Sequence, residues 1–401
     1  MRQATHVPPA PEIRPLTRDD ADAVADLDTE AFGYPAPTGP ATEQWPPVGS
    51  RAWGVLRGRD VVAAAEVREL ASWFGGAAVP TAGIAAVAVR PEHRGARLLV
   101  PLFREMLADA RARGEVISTL FPTAPGIYRP LGYEVVGELA DVEVPVASLA
   151  RIPAPEGIVL RRADPDDEHD VVVRRAVYDR WAVAQNGPLT RQGPQHRPLG
   201  REAPDDWDTV TLAFDTAGEP VGYAAWRRTD GYQGGTATVT VHELIALTGA
   251  AAAALWRLFG GFASVAGTVA LRTSGADPTR LVLPAAPWQP VRQWPYGLRL
   301  LDVVEAFRAR GAAPIDATLP FRVIGDGLDG TYRLTASGGA LSCEPAAADG
   351  PAFTGRGLAL AYAGVQSCAN LRFVGLLSGP DTDDARWDAL LGGGFAIRNY
   401  F

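Results

Sequence analysis

One order of predicted elements occurs twice along this 401-residue sequence, and the repeat restricts the possible folds more than any other feature. In each copy, a strand and a helix are followed by a hairpin, a strand of mostly small apolar residues and a second helix. The matching segments are 13–32 and 158–181, 52–67 and 209–226, 82–89 and 237–245, and 94–113 and 249–259. Chance similarity between two ordinary α/β segments is the alternative, but four elements in one order favour duplication.

Three domains follow from this organisation. The first copy continues with a strand at 116–121, a short helix at 126–131 and a strand at 133–139, and it ends near Ala150. The elements of the last part are an amphipathic helix at 298–310, strands at 321–324, 330–336 and 340–344, and helices at 357–363 and 365–372. The sequence therefore predicts an α+β protein with domains 1–150, 151–292 and 293–401.

Charge and residue types argue against several classes of function. The formal net charge is -8, whereas nucleic-acid binding depends on clustered positive charge, so a cationic small molecule is the better partner. No stretch approaches the roughly 20 apolar residues of a membrane helix, and the N-terminus has no signal-peptide core, which predicts a cytoplasmic protein without a membrane partner. The histidines and cysteines lack metal-ligand spacing, and no serine lies in a Gly-x-Ser-x-Gly motif, so we expect neither a metal nor a serine hydrolase.

The segment 87–99 has the features of a phosphate-binding junction. An apolar strand ends at Val89, a proline turns the chain, and the amides from Gly95 onward begin a long helix. Backbone amides at a helix N-terminus bind anions, and Arg94 and Arg97 add positive charge beside them. An ordinary strand–loop–helix connection with two surface arginines is the alternative.

The same segment resembles the cofactor loop of the GNAT acetyltransferases, whose pattern is Val-x-Val-x-Pro-x-x-Arg-x-x-Gly-x-Gly/Ala. The matching residues are Val87, Val89, Pro91 and Arg94. Arg97 and Leu99 depart from the pattern, because small residues are usual at both positions. The resemblance implies acetyl-CoA as co-substrate, bound by Val87, Ala88, Val89, Arg94, Gly95, Ala96, Arg97, Leu98, Leu99, Val100, Thr123 and Ala124.

A second stretch of the first domain, 126–133, resembles the Tyr-x-x-x-Gly-Phe/Tyr motif that follows the fifth strand of GNAT folds. In that family the first tyrosine lies near the sulfur of coenzyme A, which implies that Tyr128 is the general acid. A phenol can protonate a departing thiolate, because it keeps its proton at neutral pH. Tyr133 is the better candidate for plain core packing, which is also the alternative for Tyr128 alone.

Length, duplication and the last domain together resemble the enhanced intracellular survival (Eis) acetyltransferases. That family implies an active GNAT domain, a second GNAT domain without cofactor, and a sterol-carrier-like domain at the end. It also implies that the terminal carboxylate, here on Phe401, returns to the active site as general base, whereas a frayed tail is the alternative. Homo-oligomers, with the hexamer as the family pattern, are implied too.

The acceptor is the least determined part of the assignment. The resemblance implies aminoglycosides or polyamines, and Phe32, Trp45 and Trp53 are guesses for the pocket, each equally consistent with core packing. Two other functions stay open. One is a non-catalytic protein that binds a lipid or peptide through the sterol-carrier-like domain, and the other is transfer of a longer acyl or an aminoacyl group.

Overall fold

The computed structural model describes residues 11–33, 45–164, 166–194, 209–231, 236–284, 288–347 and 349–401. Within these ranges the chain forms one twelve-stranded sheet, one five-stranded sheet and the helices packed on them. We call the segment 12–149 the first repeat and the segment 159–274 the second repeat.

The first repeat follows the predicted order of elements. Its helices are α1 (Ala21–Phe32), α2 (Leu99–Ala112), α3 (Pro125–Tyr128) and α4 (Val146–Leu149). Its strands are β1 (Glu12–Pro15), β2 (Ser50–Arg57), β3 (Asp60–Phe74), β4 (Ala77–Val89), β5 (Ile117–Leu120) and β6 (Glu134–Pro145). The helix expected from Arg94 begins only at Leu99, because a short 3-10 turn at Pro91–His93 and a loop precede it.

The second repeat has the same arrangement. Its helices are α5 (Glu168–Ala182) and α6 (Gly249–Gly260), and its strands are β7 (Val159–Arg162), β8 (Thr209–Phe214), β9 (Pro220–Arg228), β10 (Ala237–Ala246) and β11 (Ala266–Ser274). The sequence analysis did not identify β11, although Val269 and Leu271 alternate towards the core as in any half-buried strand. The repeated pairing supports the predicted duplication, since β4–β5 and β10–β11 are both parallel neighbours.

A late strand completes the sheet of the first repeat. β12 (Gln289–Leu300) lies between β5 and β6 and is antiparallel to both. The predicted helix over 298–310 is therefore wrong at its start. Leu298 and Leu300 are buried and alternate with Arg299, which is a strand pattern, and helix α7 (Val303–Ala309) begins after Asp302 caps it. The proposed boundary at 292/293 falls inside β12.

The last part of the chain forms the five-stranded sheet, in the order β15-β14-β13-β16-β17. Its strands are β13 (Ala317–Ile324), β14 (Gly330–Ser337), β15 (Ala340–Pro345), β16 (Ala352–Thr354) and β17 (Leu377–Ser378). Its helices after α7 are α8 (Gly355–Ala363), α9 (Cys368–Phe373) and α10 (Asp384–Leu391). α8 packs on β6 and β12, so this unit shares one hydrophobic core with the first repeat.

Candidate active site

The central feature of the first repeat is a gap between two parallel strands. β4 pairs with β5 only from Thr81 to Ile84, although β4 continues to Val89. The last part of β4 therefore keeps its pairing with β3 but has no β5 neighbour. Such a free strand edge presents backbone donors and acceptors to an extended ligand that carries amide groups.

A β-bulge in β4 lies beside this gap. Ala86 has a φ of 48°, and the register between β3 and β4 shifts between Ala64 and Glu66. Beyond the bulge, the N–H of Arg90 donates to Val62 on β3, so by alternation the N–H of Val89 points to the open side. Val87 shares that direction. Two of the predicted cofactor-binding residues therefore aim amides into the gap.

The loop from Arg90 to Leu98 forms a concave arrangement of amides before α2. Gly95 has a φ of 83° and Arg97 a φ of 55°, and turns that alternate right- and left-handed residues produce anion-binding nests. Among the described residues, no backbone hydrogen bond satisfies the N–H groups of Gly95, Arg97, Leu98 and Leu99. No side chain caps this end of α2, so its amides remain available to an anion.

The two departures from the family pattern have different outcomes in the structure. Arg97 keeps the left-handed backbone that a glycine adopts easily, and its exposed side chain leaves the loop. Leu99 packs against the core under α2 and does not face the loop. Arg94 is also exposed, and neither arginine forms an ion pair with a described residue. Both substitutions therefore leave the concave loop intact.

Tyr128 lies at the end of α3, directly after the loop that carries Thr123 and Ala124. Its ring packs edge-on against Phe103 of α2 and against Tyr133. Burial raises the pKa of Tyr128 to about 12, so the phenol stays protonated at neutral pH. Among the described residues its hydroxyl has no hydrogen-bond partner, whereas the Tyr133 hydroxyl bonds to Ser118 at 2.6 Å. This contrast fits the expected division between a reactive and a packing tyrosine.

The C-terminal tail returns to the first repeat. The Phe401 ring contacts the rings of Phe121 and Tyr296, with centroids 5.5 and 6.2 Å apart. A Cβ added to Gly83 would lie 2.9 Å from that ring, so the last residue packs on the β4 backbone beside the β4–β5 gap. The tail is ordered by packing, and the frayed tail considered from sequence is not found.

Tyr128 and Phe401 approach the sheet from opposite faces. Ala82 and Ile84 point into the core that contains α2 and Tyr128. Gly83 lies between them and faces the other side, where Phe401 packs. The Tyr128 ring and the Phe401 ring thus lie on opposite faces of the sheet near the end of the β4–β5 pairing.

Two acidic residues on the Phe401 face were missed by the sequence analysis. Glu66 pairs across the strands with Ala85, two residues from Gly83, and Asp28 of α1 lies close enough to feel its charge. Burial and then the charge of Glu66 raise the pKa of Asp28 to about 6. One Asp28 carboxylate oxygen is buried without a partner among the described residues. No spacing in the sequence signals this pair, because packing of α1 on β3 creates it.

The three aromatic guesses for the acceptor pocket do not form one group. Trp45 packs against the core beneath α1, and Trp53 packs against the core beneath α2. Phe32 lies at the exposed end of α1. The described residues contain no His, Cys, Asp and Glu group suited to a metal ion, and none of their helices is long and apolar enough to cross a membrane.

The matching junction in the second repeat differs in length and capping. Two residues, Leu247 and Thr248, connect β10 to α6. The Thr248 hydroxyl accepts a hydrogen bond from the Ala251 N–H at 3.1 Å, so this helix start is satisfied by its own chain. The cofactor-free second domain implied by the resemblance is consistent with this closed junction.

Comparison with known families agrees with the repeated architecture. Residues 12–136 match a family model described as an acetyltransferase (GNAT) domain. Residues 187–300 match a second model with the same description. The first match covers most of the first repeat, and the second covers the second repeat from β8 onward together with β12, which supports two GNAT domains in tandem.

Individual relatives and a solved structure extend the comparison. The chain is 33% identical over 262 residues to an uncharacterized N-acetyltransferase of Streptomyces avermitilis; the alignment covers 61% of this chain and 62% of that relative, less than two thirds of its length. It is 29% identical to the N-acetyltransferase Eis of Mycobacterium tuberculosis, over 73% of each chain. The crystal structure of a GCN5-related N-acetyltransferase from Kribbella flavida superposes with a TM-score of 0.81 and 30% identity, over 99% of this chain and 100% of that chain.

Proposed function

Because this chain belongs to the GNAT N-acetyltransferases of the Eis type, we propose that it transfers the acetyl group of acetyl-CoA to an amine of a small cationic acceptor, such as an aminoglycoside or polyamine. One observation carries the proposal. The β4–β5 gap, the uncapped start of α2, Tyr128 and Phe401 converge on one end of one sheet. That arrangement offers an anion site, an amide-pairing edge, an acid and a base.

Acetyl-CoA is the substrate that these groups suit. Its diphosphate would lie at the amides of Gly95 and of Arg97, Leu98 and Leu99, with Arg94 and Arg97 adding charge, since the N–H groups of Ala96 and Val100 donate to His93 and Arg97 within the loop. Its pantetheine amides would pair with Val87–Val89. Thr123 and Ala124 would line the β5 side. The Val87 and Val89 amides that face the gap would also polarise the thioester carbonyl, as oxyanion donors do.

The reaction we propose is direct attack. The acceptor amine gives up a proton towards the Phe401 carboxylate, directly or through water, and the neutral nitrogen attacks the acetyl carbon. The C–S bond breaks, Tyr128 protonates the departing sulfur, and the second proton lost by the nitrogen passes through solvent to the Tyr128 phenolate, so an amide and a free thiol result. A free α-carboxyl is a weak base, so it works best where packing removes part of its hydration. The aromatic contacts of Phe401 provide such a setting.

Preference for a cationic acceptor rests on the carboxylates of the Phe401 face. Asp28 and Glu66 lie on the face of the sheet where Phe401 packs, and the partnerless Asp28 oxygen can accept a hydrogen bond from an ammonium group. Glu66 already binds Ser50 and Arg68, so Asp28 is the freer of the two. An acceptor with several amines could leave one protonated against Asp28 while another reacts.

The test is release of coenzyme A thiol from acetyl-CoA across a panel of aminoglycosides, diamines and short peptides. We expect turnover with at least one polyamine and little with matched neutral sugars. One variant deletes Phe401, and another adds a single glycine after it, which keeps the ring but moves the carboxylate. We expect both to lower kcat about 100-fold. Release that never exceeds the amine-free background would contradict the proposal.

Two alternatives receive weaker support. A longer acyl donor would need more room, which competition between acetyl-CoA and longer acyl-CoAs would reveal. Lipid or peptide binding by a sterol-carrier-like domain over 293–401 would need an open cavity beside the five-stranded sheet. The space against this sheet is instead occupied by four aromatic side chains in mutual contact, Phe307, Phe321, Phe353 and Trp387. The pocket beside Trp387 and Cys368 measures about 220 Å³.

Cytoplasmic location and a hexameric assembly remain proposals, the latter testable by light scattering.

A further inference from the structure

Ile397, Arg398 and Asn399 form hydrogen bonds with the second repeat and its following loop, whereas the Tyr400 ring packs on Phe121 and Trp294. The N–H of Ile397 donates to Ser274 at the end of β11, at 2.6 Å. Arg398 forms an ion pair with Asp277 at 2.8 Å, and both side chains are at most 3% exposed. The Arg398 guanidinium also stacks over Trp181 of α5, 4.6 Å from the ring centre.

Asn399 is held by a second buried network. Its side-chain oxygen accepts hydrogen bonds from the Tyr178 hydroxyl and from Arg191 Nε, each at 3.3 Å. Arg191 binds Glu243 of β10 through both terminal nitrogens, at 2.5 and 3.0 Å, and its guanidinium lies 3.6 Å from the Tyr178 ring centre. The network therefore reaches from the tail to the middle of the second repeat.

Two features indicate that the fold positions Arg191 to contact Asn399. Its φ is 51°, a left-handed conformation that costs a non-glycine residue about 1–2 kcal/mol. Glu243, its partner, lies at the register shift of β10, the position that corresponds to the bulge of β4. The part of the fold that presents amides to a ligand in the first repeat is occupied in the second repeat by a side-chain network that ends on the tail.

We infer that the second repeat acts as a clamp that positions the terminal carboxylate of Phe401 in the active site of the first repeat. Arg191, Glu243 and Asp277 are positioning residues, since they act on the carboxylate only through Asn399 and Arg398. The inference rests on the proposed function, in which that carboxylate accepts the proton. Only two residues separate Asn399 from the end of the chain, so fixing its side chain limits where the carboxylate can lie.

Asn399 offers the mildest test, because it is partly exposed and its loss removes no buried charge. Asn399→Ala deletes both hydrogen bonds, whereas Asn399→Asp keeps the accepting oxygen and adds attraction to Arg191. We expect Asn399→Ala to lower kcat about 10- to 100-fold with an unchanged KM for acetyl-CoA, because a small displacement of a catalytic group has effects of this size. Asn399→Asp should restore kcat to within about threefold of the wild type.

Asp277→Asn tests the ion pair between Asp277 and Arg398. The melting temperature is recorded for every variant to confirm folding. A merely structural role would lower the melting temperature without a selective loss of kcat. If the glycine-extended variant loses kcat but Asn399→Ala keeps it, the clamp is overturned and the proposed function stands. If the extended variant keeps full kcat, both are overturned, and if wild type releases no thiol, the proposed function itself has failed.

Discussion

The two repeats share a fold but finish their central strand–helix junctions in opposite ways. In the first repeat, nine residues separate β4 from α2, two of them left-handed, and the helix starts without a side-chain cap. In the second repeat, two residues suffice and Thr248 caps α6. An open junction leaves amides for a ligand, and a closed junction satisfies them within the chain. The same backbone plan therefore leaves helix-start amides unpaired in one copy and pairs them within the chain in the other.

The segments after the fifth strand of each repeat differ in the same sense. After β5, the chain forms α3 and presents Tyr128. After β11, Asp277 caps a 3-10 turn at Pro278–Val282 and pairs with Arg398 of the tail. One segment contributes a group suited to the reaction, and the other holds the chain end. The variants below are designed to test whether this division is real.

Tyr128→Phe should give the largest effect. We expect kcat to fall about 100- to 1,000-fold, because the departing thiolate loses its proton donor, while the KM for acetyl-CoA stays within about threefold. Thiol-release kinetics measure both values. Tyr133→Phe is the control, since its hydroxyl bonds Ser118 in the core and should affect stability more than kcat. An equal loss of kcat in both variants would contradict the assigned roles.

Val100→Glu tests the anion site at the second residue of α2, where the side chain is 53% exposed. We expect the KM for acetyl-CoA to rise about tenfold, because the new carboxylate repels a diphosphate at the helix start. Ala250→Glu is the matched control at the second residue of α6. It should leave KM unchanged, and a rise there would mean that the second repeat also takes part in binding.

The two repeats also differ in the pKa of a buried carboxylate, Glu243 in the second repeat and Asp28 in the first. Burial acts to raise the pKa of Glu243, but the charge of Arg191 and the hydrogen bonds from Arg191 and Tyr223 together lower it. Asp28 has no such partner, and its pKa is raised to about 6. Because the folded state then binds a proton more tightly than the unfolded state, the free energy of unfolding falls as pH rises from about 4 to 6.

Asp28→Asn should remove that pH dependence. We expect the variant to be more stable than wild type by about 1–2 kcal/mol above pH 6, after allowance for partial solvent screening, and to be similar below pH 4. Its KM for a polyamine should rise several-fold. Urea unfolding at pH 4 and 7.5 and steady-state kinetics measure these effects. Greater stability with an unchanged acceptor KM would separate Asp28 from acceptor binding.

Arg97→Gly should give the smallest effect. Glycine adopts a φ of 55° without strain, so we expect a gain of about 1 kcal/mol in the free energy of unfolding. Arg97→Ala also deletes the charge but keeps the strain, and it should give no gain. Both variants should raise the KM for acetyl-CoA about two- to threefold through the lost charge. A gain for alanine equal to that for glycine would argue against backbone strain.

Local patterns predicted the first repeat well. The run of small apolar residues in β4, the proline and glycine of its loop, and helical spacing in α2 can all be recognised within about 30 residues. The expected helix over 298–310 was wrong at its start because Leu300 fits the helical spacing with Val304 and also the strand alternation with Leu298, and pairing with β5 decides for the strand. The raised pKa of Asp28 and the anchoring of Asn399 depend on contacts between distant segments, which no local pattern encodes.

The position of β12 also has a consequence during synthesis. Ile117 of β5 pairs with Leu300 of β12, about 180 residues later, so β5 and β6 of the nascent chain lack their shared neighbour until then. A ribosome that has made only the first 150 residues has produced every proposed catalytic residue except the last one, but not a complete sheet to hold them. A proteolytic fragment restricted to the first repeat would lack β12, so β5 and β6 would each present an unpaired strand edge.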